Sequence, residues 1–133
     1  QQVPAVYVRA FDAITKGRDT AIALVQDSVR NGRELCGWEV DRATRDMMIQ
    51  AGYIDHILHR TGHSLGETVH GNGVHLDDYE THDSRRIVAG TGFTIEPGLY
   101  FKDFGVRTEI NMFCSENEAT VTGPKQSAIV ALS

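Results

Sequence analysis

The sequence predicts an α+β domain. Its stretch up to Gln50 carries apolar residues at helical spacing, and after Tyr53 the texture changes to Gly, His and Thr with short β-type runs. A helical portion followed by a strand-rich portion is the pattern of that class. The 133 residues amount to one domain, long enough to bury a core.

The first helix is expected over residues 5–31. No proline interrupts it, and Val6, Ala10, Ile14, Ala21, Leu24, Val25 and Val29 fall at helical steps. Gly17 breaks the pattern and predicts a kink or junction, and Asn31-Gly32 predicts the stop. A second helix is expected over residues 38–50, with Val40, Met47 and Ala51 as its apolar stripe and Gly52 as its end. Strands are expected at residues 93–95, 99–101, 106–113 and 119–122, with turns at Pro97-Gly98 and at 103–105. Residues 71–86 form the most polar loop. Cys36, Cys114 and Trp38 are expected in the core, the cysteines as free thiols.

Composition narrows the function. The chain is 41% hydrophobic and 23% charged, as ordinary globular proteins are, and its formal net charge of -5 argues against nucleic acid or an anionic membrane as main partner. No apolar run approaches the ~20 residues of a membrane span, and no signal-peptide pattern opens the chain. A cytoplasmic protein is expected. The chain begins Gln1-Gln2 rather than with methionine, which predicts a piece of something longer.

The chemistry concentrates in the second part. All six histidines (His56, His59, His63, His70, His75 and His82) lie within one stretch, and imidazole serves both metal binding and proton transfer near neutral pH. His63 sits among small residues in GHSLG, and His70 follows it. Glu96 interrupts the apolar run FTIEPGLYF, and Glu109 interrupts FGVRTEINMF. A carboxylate in an apolar setting is costly without a compensating cation or donors. One imidazole and two carboxylates make a mixed N/O set suited to Mn²⁺, Co²⁺, Zn²⁺ or Fe²⁺. In the polar loop, His75, Asp77, Asp78, His82 and Asp83 suggest either a secondary metal site or, the preferred reading, a solvated lid.

GHSLG with His70 downstream, TIEPGLY and GVRTE, in this order, resemble the pita-bread metallopeptidases: Xaa-Pro aminopeptidase, prolidase, methionine aminopeptidase and their relative creatinase. The segment GWEVDRATRDMMIQAGY resembles what precedes those motifs, so the likeness covers essentially residues 1–133, as the C-terminal portion of a catalytic domain. The resemblance implies a pita-bread fold, incomplete at the N-terminus, with helices packed on a curved antiparallel sheet. It implies His63, Glu96 and Glu109 as metal ligands, with Glu96 also handling protons, and His70 facing the substrate and stabilising the intermediate. His59, Tyr100 and Arg107 match positions around the proline side of an Xaa-Pro substrate. Two divalent ions, Mn²⁺ first, are implied for the parent enzyme, with hydrolysis of Xaa-Pro peptide bonds by a metal-activated water.

The sequence also departs from the family. Two aspartate ligands on preceding strands have no counterpart in residues 1–58, where Asp12, Asp19 and Asp27 have the wrong neighbours. The chain alone is therefore expected to have little peptidase activity, and an exposed sheet edge or apolar face would favour self-association, such as a homodimer. Two alternatives stand beside the peptidase. One is a creatinase-like hydrolase of a non-peptide C–N bond, which would not need all three metal donors. The other is a non-catalytic binding module that keeps the fold.

Overall fold

The computed structural model describes residues 2–132. Helix α1 (Ala5–Arg30) and helix α2 (Gly37–Gln50) pack together and are followed by six short strands. These are β1 (Ser64–Leu65), β2 (Thr91–Ile95), β3 (Gly98–Tyr100), β4 (Gly105–Arg107), β5 (Ile110–Cys114) and β6 (Ala119–Val121). Strands β1, β2, β5 and β6 form one antiparallel sheet in the order β1-β2-β5-β6, with Phe93 opposite Met112 and Ile95 opposite Ile110. Strands β3 and β4 form a separate hairpin in which Leu99 faces Val106.

At 26 residues, α1 is about 39 Å long, enough to lie across both sheets. Its C-terminal half buries Ala21, Ile22 and Val25 with Phe93, Ile95, Ile110 and Met112 of the four-stranded sheet. Its N-terminal half buries Ala10, Phe11 and Ile14 with Met48, Ile57 and Leu99 of the hairpin. The helix ends where Asn31-Gly32 predicts, and α2 ends at Ala51 and Gly52. Its start is capped by the Glu39 carboxylate, which accepts the Cys36 N–H at 2.7 Å.

Several expectations change. Gly17 is no junction: α1 runs through it, and a Cβ there would lie 3.2 Å from Thr44 Cγ2, so the missing side chain lets α2 approach. Val6 is exposed, because α1 overhangs the core at its first turn. On α2 the buried stripe is Val40, Asp41, Thr44, Arg45 and Met48 rather than Val40, Met47 and Ala51. That stripe is half polar, which hid it from apolar periodicity. Trp38 and Cys36 are half-buried, with Trp38 stacked on His82 at 4.7 Å; only Cys114 joins the core. Both cysteines are free thiols, and burial pushes that of Cys114 up to about 11.

The predicted strand 106–113 is two strands, because the chain crosses from the hairpin to the larger sheet at Thr108-Glu109. The loop 71–86 is solvated only in part, with residues 79–82 and 84–86 exposed. It buries Val74, Leu76, Asp77 and Asp83, and pairs with the rest of the fold at Gly62–Leu76 and Cys36–Arg86. Two of its acids turn inward to accept backbone N–H groups, Asp77 from Tyr79 and Glu80, and Asp83 from His75 and Arg85. Among the described residues no helix is long and apolar enough to cross a membrane.

Candidate metal centre and active site

Both glutamates singled out by sequence lie where the chain passes from one sheet to the other. Glu96-Pro97 separates β2 from β3, and Thr108-Glu109 separates β4 from β5. Pro97 has no N–H with which to extend a ladder. The two crossings are joined directly, since Thr108 N–H donates to the Pro97 carbonyl at 3.3 Å.

A third segment, residues 61–65, closes the site. Glu96 N–H donates to the Thr61 carbonyl at 2.6 Å and Thr94 N–H to that of His63 at 2.9 Å. Only glycine fits between them at position 62, where a Cβ would stand 1.9 Å from the Thr94 carbonyl oxygen. His63 is thereby held tightly. It is 7% exposed, and its N–H donates to Thr94 Oγ1 at 2.9 Å. Its Nδ1 lies 3.0 Å from the Ser64 carbonyl oxygen. A carbonyl can only accept, so Nδ1 carries a proton, and in the neutral ring Nε2 is the nitrogen with the free lone pair.

That Nε2 faces Glu96 Oε2 at 3.5 Å, and Oε2 is buried without a hydrogen-bond partner. With the ring neutral, two electron-pair donors point at one another, an arrangement that a cation between them would relieve. Glu109 adds a second carboxyl beside the first. Hydrogen bonding with Glu96 holds Glu109 above the usual carboxylate range, with burial and the charge of Glu96 acting the same way and Arg107 and His63 opposing. This concentration of donors fits a cation. It is an open set: among the described residues, no group of three or more His, Cys, Asp and Glu side chains is gathered closely enough to hold a metal ion alone. That applies equally to the cluster His75, Asp77, Asp78, His82 and Asp83.

The substrate-side candidates lie around the same bend. The exposed His70 ring is 4.2 Å from that of His63. His59 Nδ1 lies 2.7 Å from the Arg60 carbonyl oxygen, so Nδ1 is the protonated nitrogen and Nε2 accepts the Tyr100 hydroxyl at 2.7 Å. Gly98 makes room for that pair, since a Cβ there would be 2.7 Å from the Tyr100 oxygen and 2.9 Å from His59 Nε2. Arg107, exposed on β4, is the register partner of Gly98. It makes no ion pair with Glu109 within 4.0 Å among the described residues, because the strand breaks between them.

The histidine cluster thus divides. His59, His63 and His70 stand at the site, whereas His56 stacks on Phe101 and His82 on Trp38. His75 holds the site's backbone: its Nδ1 accepts the Ser64 N–H at 2.9 Å. Burial, then Arg60 and Arg85, lower its pKa and favour the neutral ring that this bond requires. Sequence reading missed His75 in this role, along with Thr94 and Asp41. A threonine inside FTIEPG and an aspartate at helical spacing from Arg45 were the available signals.

Comparison with known proteins identifies the family and the fold. Residues 3–116 match the model of metallopeptidase family M24. An uncharacterized peptidase of Bacillus subtilis is 32% identical over 97% of this chain and 33% of its own length. A probable dipeptidase of Mycobacterium tuberculosis is 35% identical over 61% of this chain and 21% of its own. Among solved structures, dipeptidase PepE of Mycobacterium ulcerans superposes with a TM-score of 0.80 at 27% identity, over 94% of this chain and 31% of that one. The prolidase of Pyrococcus horikoshii shares the fold, with a TM-score of 0.83 at 22% identity over 96% and 35%. The fold is the pita-bread fold that the motifs imply. The chain spans between a fifth and about a third of the length of these relatives.

Proposed function

The chain belongs to metallopeptidase family M24, and from that premise we propose that it is the C-terminal part of the catalytic domain of an exopeptidase cleaving Xaa-Pro bonds. His63, Glu96 and Glu109 are its contribution to a dinuclear centre, with Mn²⁺ the first candidate and Co²⁺, Zn²⁺ and Fe²⁺ behind it. The observation that carries this reading is the buried, unpartnered Glu96 Oε2 facing the lone pair of His63 Nε2. The neighbours printed as dipeptidase and prolidase support a short peptide substrate. Two free thiols fit a reducing, cytoplasmic setting.

When bound, the cations would compensate the two carboxylates, make a water more acidic and polarise the scissile carbonyl. The chain's own residues do the rest. The Ser64 carbonyl fixes the tautomer of His63, so its Nε2 is presented without rearrangement. Glu96 accepts the proton of the attacking water and returns it to the leaving nitrogen. His70, beside His63, donates to the carbonyl oxygen as negative charge develops there. Tyr100, its hydroxyl proton committed to His59, presents lone pairs toward the substrate's proline side, and Arg107 adds positive charge for the peptide's carboxylate.

The test is metal analysis and Xaa-Pro hydrolysis on the full-length protein, with Glu109→Ala as control. Loss of both bound metal and at least a hundredfold of turnover is expected. Unchanged turnover in the variant overturns the site.

A further inference from the structure

Among the described residues two arginines are buried and unused by the mechanism above, Arg45 on α2 and Arg18 on α1, and Arg18 is the one hydrogen-bonded beside Glu109. Arg18, in the middle of α1, is 3% exposed, and its guanidinium reaches the site from behind. Nη1 donates to Thr108 Oγ1 at 3.2 Å and to the Gln126 carbonyl at 2.8 Å, while Nε donates to Asp19 at 3.0 Å. Thr108 is itself 4% exposed and precedes Glu109. Its N–H donates to the carbonyl of Pro97, which follows Glu96.

Arg18 therefore grips, through one threonine, both places where the chain changes sheets. We propose that Arg18 is a positioning residue that, acting through Thr108, sets the relative placement of Glu96 and Glu109 and so the metal affinity of the site. This rests on the metal role proposed for those glutamates. The physical ground is that, once both carboxyls are ionised, their like charges would drive them apart, and neither lies within a strand, so their separation depends on the ties at the two crossings. A guanidinium offers several donors in a rigid planar fork, so one group can tie the helix, the crossing and the C-terminal segment together. Groups that orient metal ligands commonly change affinity by about 10- to 100-fold when removed.

The experiment measures Mn²⁺ affinity by titration calorimetry on the full-length protein, alongside thermal unfolding without metal. Arg18→Met and Thr108→Val are each expected to weaken Mn²⁺ binding about 10-fold or more, and Thr108→Ser to restore it. Gln26→Ala removes a different tie from α1, to the Ala119 carbonyl of β6. It is expected to lower the unfolding temperature while leaving Mn²⁺ affinity unchanged. Thr108→Val carries the test if Arg18→Met does not fold. Wild-type affinity in Thr108→Val, with binding lost in Glu109→Ala, overturns the role of Arg18 and leaves the metal site standing. Wild-type affinity in Glu109→Ala as well overturns the metal site itself.

Discussion

Glu96 shows what function costs at the scale of one residue. Its Oε2 has no donor, an imidazole lone pair faces it, and a second carboxyl lies beside it. Each of these raises the free energy of the metal-free fold. Removing the charge should relieve that strain and destroy the site together. Glu96→Gln is expected to stabilise the metal-free protein by about 1 kcal/mol in urea unfolding while abolishing Mn²⁺ binding. A variant that is less stable without metal would show that Glu96 is held by donors instead. Gly62 and Gly98 are the complementary case, where the absence of a side chain lets His63, Tyr100 and His59 take their places.

At the scale of elements, α2 does more than fill the core. Its Asp41, fully buried, accepts from Thr61 N–H at 3.0 Å and Thr61 Oγ1 at 2.6 Å through one oxygen. The other oxygen accepts from Arg45 Nε at 3.1 Å and from Asp78 N–H at 2.6 Å. One carboxylate thus ties the helix to the segment leading into His63 and to the polar loop. Asp41→Ala would strand these donors and leave the Arg45 guanidinium, itself 8% exposed, without its ion pair. A loss of about 3–5 kcal/mol is expected in chemical denaturation. A loss below about 1 kcal/mol would mean that water replaces the carboxylate there.

For the whole molecule, the inward-turned acids couple folding to pH. Burial alone would raise the Asp83 pKa, but the Arg85 guanidinium and the N–H groups of His75 and Arg85 outweigh it and hold Asp83 down at about 2. A folded pKa below the ordinary ~3.9 means stability that is fully present above about pH 4 and lost as pH falls toward 2. The contribution is roughly 2 kcal/mol at neutral pH, and Asp83→Asn should flatten the acid limb of the stability profile. An unchanged acid limb would assign it to other carboxylates. The 133 residues alone are expected to show little Xaa-Pro hydrolysis, because the three donors form an open set. Robust metal-dependent turnover by this chain alone would refute that.

The sequence by itself determined the class, the two helices with their ends, and the short motifs around His63, Glu96 and Glu109. These are local matters: apolar periodicity, Gly-containing stops and residue types costly to bury report on their own neighbourhood. Tertiary structure decided what depends on partners distant in the chain. The run 106–113 reads as one strand, and only its change of partner, from Gly98 in the hairpin to Ile95 in the sheet, breaks it at Thr108-Glu109. The loop 71–86 reads as solvated because its charges count as polar, whereas two of its carboxylates, Asp77 through Oδ1 and Asp83, accept backbone N–H groups inside the fold. Arg18 was invisible for the same reason, and Asp41 showed only its local pairing with Arg45: a buried charge is tolerable only with its donors or acceptors in place, and Thr108 and Gln126 for Arg18, like Thr61 and Asp78 for Asp41, come from segments far along the chain.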